Sequence, residues 1–165
     1  WENLQTLPYW NEKAYEKANP DMFSLQKNWA KEHIKEEHRI KDSIVTTMSA
    51  NKYNEKQSRA MSAHIDSGDY PEGLSTMAVF KDGDYSGAYL TFPQYGIAID
   101  IPDNTCALFD SQVMHGVTPI KGEGTRYSIT AYTDTRLATI GAAGKSERPI
   151  GHHNKDKRGS LEEFI

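Results

Sequence analysis

The run 75-STMAVFKDGDYSGAYLTFPQYGIAIDIPDNTCALFD-110 decides the fold class. It divides into short β-rich pieces, 75-STMAVF-80, 87-GAYLTF-92, 96-GIAIDI-101 and 105-TCALFD-110. Turn chemistry marks each junction: 81-KDGDYSG-87, 93-PQYG-96 and 102-PDN-104. Working outward, 43-SIVTTMSA-50 and 60-AMSAHI-65 read as strands before the turn 67-SGDYPEG-73. Beyond it, 113-VMHGVT-118 and 126-RYSITAYT-133 flank 121-KGEG-124. About eight short strands with close turns predict a two-sheet jelly roll rather than a parallel sheet.

Before Ser43 the pattern is helical. The segment 9-YWNEKAYEKA-18 predicts a short helix stopped by 19-NPD-21, and 22-MFSLQKNWAKEHIKEEHRIK-41 carries a partial stripe at Phe23, Leu25, Trp29 and Ile34. Both helices are expected to lay apolar faces on a sheet, with Tyr9, Trp10 and Trp29 in that core and the charged face solvated. After Arg136, 141-GAAGKSERPIGHHNKDKRG-159 reads as a loop or tail, followed by a short closing segment at 160-SLEEFI-165. The expected organisation is one domain, mainly β with flanking helices: helices over 1–42, a β core over 43–140 and a tail over 141–165.

Hydrophobic residues make up 37% of the 165-residue chain, enough for one sizeable core. No apolar run reaches the roughly 20 residues a bilayer span requires, so no membrane partner is expected. The single Cys106 excludes an intramolecular disulfide and a Cys-rich zinc site, and favours a reducing, intracellular (cytoplasmic or nuclear) compartment. The net charge of −4 argues against bulk electrostatic binding of nucleic acid. Its distribution is uneven: acids crowd the stretch between His64 and Asp110, where Lys81 is the one base, while 25–41 and 145–158 lean basic. Those flanks could grip a polyanion, although a charge run is more often a solvated face.

Within 62-SAHIDSGD-69, His64 and Asp66 alternate with Ile65 and so point to one face of a strand. Two ligands at that spacing can take adjacent positions around a metal. A third must come from elsewhere, and His115 in 112-QVMHGVT-118 is the outstanding candidate. Two imidazoles and one carboxylate with open positions suit non-haem Fe(II). A lone His-x-Asp is usually incidental; order, separation and strand context make this one a metal site. In 126-RYSIT-130, Arg126 and Ser128 share a face. An inward arginine is expensive unless a carboxylate answers it, and its planar fork suits one end of a dicarboxylate. The bland alternative is an outward arginine paired with a surface acid.

His64-Ile65-Asp66, His115 and 126-RYS-128 resemble the Fe(II)/2-oxoglutarate-dependent dioxygenases. Within them, 86-SGAYLTFPQYGIAIDIPDNTCALFDSQVMHGV-117 is similar to the TET/JBP group of nucleic-acid base oxygenases: a Gly-x-x-Leu strand, a Phe-Pro turn, a GIAI strand and an F-x-S-x-x-x-H-G run. The resemblance covers about residues 43 to 134, most of the inferred barrel. It implies a double-stranded β-helix of the cupin-like jelly-roll type, with His64, Asp66 and His115 holding Fe(II). Arg126 and Ser128 would hold the far carboxylate of 2-oxoglutarate, with O2 as the oxidant for a C–H bond. Two departures stand out. The group's turn glycine before the LF strand is replaced by 102-PDN-104, where Asn104 can take positive φ. Its Gly-Gly is here Ser86-Gly87, which puts a close backbone approach in doubt.

The resemblance further implies a pyrimidine 5-methyl group in nucleic acid as target, with Asp69 as a base contact and Asn51 as a weaker contact with base or co-substrate. A carboxylate accepts well from the exocyclic amine of cytosine. Turn-forming roles for both residues stay open, as do two other functions. One is a 2-oxoglutarate-dependent hydroxylase of a protein side chain or small metabolite; the other is a non-catalytic jelly-roll binding module.

Overall fold

A computed structural model describes residues 2–40, 43–56 and 61–142. The chain opens with α1 (Glu2–Ala18) and α2 (Pro20–His33). α1 starts before the sequence predicts, because Pro8 lies inside it rather than ahead of it. A mid-helix proline costs about 3 kcal/mol; here its ring is fully buried, a packing gain set against that cost. Asn19 caps α2 by accepting from the Met22 amide at 3.2 Å, with Pro20 in the first turn. α2 stops at His33 instead of running to Lys41: Ile34 turns extended and is buried, and a 3-10 turn follows at Glu36–His38.

Ten strands follow: β1 (Thr47–Asn54), β2 (Met61–His64), β3 (Ser75–Asp82), β4 (Ser86–Gly87), β5 (Leu90–Phe92), β6 (Ile97–Ile99), β7 (Thr105–Phe109), β8 (His115–Val117), β9 (Ile120–Lys121) and β10 (Thr125–Tyr132), then α3 (Arg136–Ala142). They form a major sheet β1-β10-β3-β7, a minor sheet β2-β8-β5-β6 and the small pair β4-β9, all antiparallel. This is the two-sheet jelly roll that the turn pattern predicts. Met77, Val79, Leu90, Ile101 and Phe109 form an apolar cluster contributed by both sheets.

Three departures have local causes. Ser43, Ile44 and Val45 are not in a strand. Their backbone and hydroxyl donors go to the buried Glu12 carboxylate of α1, with the Ile44 amide at 2.7 Å, so the strand starts at Thr47. The expected strand 87–92 breaks in two where Gly87 and Ala88 take positive φ. Gly87 is required there, since a Cβ would meet the Pro119 carbonyl oxygen at 2.1 Å. The close approach therefore survives the Ser86 departure, and Ser86–Gly87 pairs with the unforeseen β9. α3 also went unforeseen; Asp134 accepts from the Arg136 amide and side chain at its start. Asn104 takes the positive φ its turn needs. The expected tail beyond residue 142 lies outside the described residues.

α1 and α2 cover one side of the major sheet through Tyr15, Phe23, Trp29 and Ala30, packed with Ile44, Leu74 and Leu108. Trp29 also stacks on Tyr70. Tyr9 and Trp10 do not join this core. The buried face of α1 runs through Pro8, Asn11, Glu12 and Tyr15, which puts Trp10, 67% exposed, on the other side. None of the described helices is long and apolar enough to cross a membrane.

Candidate metal and co-substrate site

The antiparallel pairing of β2 with β8 sets His64 opposite His115, with ring centroids 4.6 Å apart. Asp66 follows β2 by two residues and sends its carboxylate between them. Its Oδ1 is 3.4 Å from His64 Nε2 and its Oδ2 is 3.5 Å from His115 Nε2. One ligand atom from each residue lies within 4.8 Å of the others. The 48 residues between Asp66 and His115 are thus closed by a single strand pair.

The second nitrogens fix the chemistry of the first. His64 Nδ1 is 2.9 Å from the Ser62 carbonyl and His115 Nδ1 is 2.9 Å from that of Val113. A carbonyl only accepts, so each Nδ1 carries a proton, and in the neutral ring Nε2 keeps its lone pair. Two lone pairs and a carboxylate facing one point repel unless a cation, or added protons, sits among them. Burial would raise the Asp66 carboxyl, but the His115 and His64 rings beside it outweigh that and hold the group well below the usual range. Asp66 in turn pushes His64 up. This donor set fits a small divalent cation. Phe109 packs its ring 5.1 Å from that of His115, which limits water on that side.

The Asp66 loop is clamped by residues that sequence reasoning missed. The Asp66 amide donates to the Ser111 carbonyl at 3.0 Å, and Gln112 Nε2 donates to the Asp66 carbonyl at 3.0 Å. Both lie inside the F-x-S-x-x-x-H-G run, and that is the signal that could have found them.

Arg126 lies in β10 and is 2% exposed. Its guanidinium sits 5.7 Å over the Tyr53 ring, and Nη2 reaches Met77 Sδ at 3.6 Å. Nη1 is buried without a partner, and no carboxylate among the described residues bonds the group. Burial pulls the guanidinium below its ordinary value. An inward cation with an open donor fits an incoming carboxylate. Ser128 is buried on the same face and pairs across strands with Asn51. Met77 and Phe109 belong to one apolar cluster, so a single core touches both Arg126 and His115.

Asp69 is 6% exposed and accepts from Ser75 Oγ at 2.7 Å and from Ser111. Burial raises its carboxyl to about 6 against those two bonds, with the nearby Asp66 and Asp134 adding to the rise. The sequence-predicted residues thus fall into two groups, His64, Asp66 and His115 on the minor-sheet side and Asn51, Arg126 and Ser128 on the major sheet. Asp69 is fastened beside the first. A cleft of about 560 Å³ lies elsewhere, among Glu12, Lys13, Lys27, Lys31 and Arg39 on the helix side, and contains none of these groups.

The family model Tet_JBP, described as the oxygenase domain of the 2OGFeDO superfamily, matches residues 1–135. The thymine dioxygenase JBP1 of Trypanosoma brucei brucei is 26% identical over 123 residues, covering 74% of this chain and 14% of that protein. Its counterpart from strain 927/4 GUTat10.1 matches to the same extent. The chain therefore spans about one seventh of the length of these relatives, by the same 14%. Among solved structures, NgTET1 in complex with 5mC DNA shares the fold at a TM-score of 0.54 and 13% identity, covering 65% of this chain and 40% of that one.

Proposed function

The chain belongs to the Tet_JBP family, the oxygenase domain of the 2OGFeDO superfamily, and from that premise we propose that it is an Fe(II)- and 2-oxoglutarate-dependent dioxygenase oxidising the 5-methyl group of a pyrimidine base in DNA. The observation that carries the reading is the convergence of His64, Asp66 and His115 within 4.8 Å, with both Nε2 atoms turned to the Asp66 carboxylate. These three residues are proposed to hold Fe(II), and Arg126 with Ser128 to hold the far carboxylate of 2-oxoglutarate. When bound, iron with 2-oxoglutarate and O2 supplies oxidation of an unactivated C–H bond.

The chain's own residues do the rest. The carbonyls of Ser62 and Val113 orient the two imidazoles, and the Gln112 and Ser111 bonds hold the aspartate loop, so the ligands are set before any metal arrives. Phe92 and Phe109, flanking the His115 ring, exclude water. Arg126 neutralises and positions the anionic end of the co-substrate away from the triad. Asp69 and Asn51 are kept as the proposed substrate-side residues. Support for a pyrimidine substrate comes from the relatives: JBP1 is named a thymine dioxygenase, and NgTET1 is seen with 5mC DNA. A duplex base must leave the stack to reach such a centre.

The test is succinate release by the iron-loaded chain with DNA oligonucleotides carrying thymine or 5-methylcytosine, set against RNA, peptide and metabolite pools. Stimulation by the DNA, with the oxidised base found in the product, is expected. Stimulation by peptide or metabolite alone would transfer the same centre to protein or metabolite hydroxylation.

A further inference from the structure

A second unanswered donor packs in the same aromatic surround as the ring beneath Arg126. Tyr85 sits in the turn between β3 and β4, and its hydroxyl oxygen is buried with no partner. Its ring packs on the Ala88, Val117 and Ile120 cluster together with Tyr53, the ring that underlies the Arg126 guanidinium. Lys81, the cross-strand neighbour of Arg126, places Nζ 5.2 Å over the Tyr85 ring.

A buried hydroxyl left unpaired is costly, and so is a guanidinium N–H. Each offers a proton, and no described acceptor takes either. A carboxylate has about four lone-pair sites and can accept from both at once. We propose that the Tyr85 hydroxyl is a second donor in the Arg126 pocket, and that the two together hold the far carboxylate of a linear dicarboxylate. The proposal rests on the co-substrate reading above and adds a residue to it.

The experiment titrates 2-oxoglutarate into the Mn(II)-loaded chain as wild type, Tyr85→Phe and Arg126→Met. The same titrations use 2-oxopentanoate, which keeps the keto-acid end and lacks the far carboxylate. Tyr85→Phe is expected to weaken 2-oxoglutarate about tenfold, the worth of one hydrogen bond to a charged group. It should leave 2-oxopentanoate binding unchanged and the melting temperature of the ligand-free chain equal or higher. Wild-type affinity in Tyr85→Phe, with binding lost in Arg126→Met, would overturn the Tyr85 assignment and leave the co-substrate reading standing. Equal weakening of both keto acids would likewise overturn it, as a packing defect. No binding of 2-oxoglutarate by the wild type would overturn the reading itself.

Discussion

The two faces of the major sheet treat buried polar atoms in opposite ways. Under the helices most buried polar side chains are answered within the protein, Arg39 Nε being the exception. Asn11 donates to Thr76 at 3.2 Å, Gln26 donates to Thr133 at 2.9 Å, Tyr15 donates to Gln26 at 3.0 Å, and Glu12 takes the donors of residues 43 to 45. On the jelly-roll side, Arg126 Nη1 and Tyr85 Oη have no partner among the described residues, and three metal-type ligands converge within 4.8 Å. A face that only supports the fold closes most of its hydrogen bonds. A face that keeps donors and lone pairs open is built for ligands that come from outside. The difference separates scaffold from site.

The sharpest way to break that distinction is Asp66→Ala. Removal of the only carboxylate in the triad should reduce succinate release by more than the roughly 10–100-fold that losing an outer partner of a metal ligand costs. Turnover near wild type would show that iron is held by other residues.

A second effect reads the cost of the open face in pH. The Asp69 carboxyl stands at about 6 in the fold, against about 4 when unfolded. A raised folded value means the contribution is fully present below pH of about 4 and is lost as pH rises through about 6. Asp69→Asn cannot ionise there. Denaturant titrations across that window should therefore show the metal-free wild type losing on the order of 2–3 kcal/mol relative to the variant. Parallel curves would mean that Asp69 ionises freely.

The closed face is sharpened by Gln26→Leu, which leaves the buried Tyr15 hydroxyl proton without its acceptor and removes a donor to Thr133, while Thr133 keeps its bond to the Ile44 carbonyl and the Leu74 amide its bond to Tyr15. A loss of about 2 kcal/mol in urea unfolding is expected; no loss would mean that these bonds are replaced by water. The smallest effect has the opposite sign. Arg126→Met removes a buried, unpaired charge and should raise the stability of the ligand-free chain by on the order of 1 kcal/mol. Destabilisation would mean that the guanidinium is needed by the fold.

The divide between what the sequence conveys and what it hides follows the range of each interaction. His64 and Asp66 were legible because strand alternation is local, and His115 because few histidines stand in strand context after them. The jelly roll was legible because its turns carry Gly, Pro, Asn and Asp at every junction. Glu12 cutting short the first strand was hidden: that carboxylate acts on residues 43 to 45 from another element. Pro8 inside α1 was hidden for the same reason, since burial overrides its usual role as a breaker. Tyr85 lies in a polar turn, where an aromatic side chain stands out, yet only the fold shows which way it faces.

The measurement that bears most directly on the open face is anaerobic equilibrium dialysis of Fe(II) against the wild type and against His64→Ala, Asp66→Ala and His115→Ala. One ion per wild-type chain is expected, with binding lost in each variant. Retention of that ion by all three would contradict the account, because the lone pairs now facing one another would have no cation to receive them.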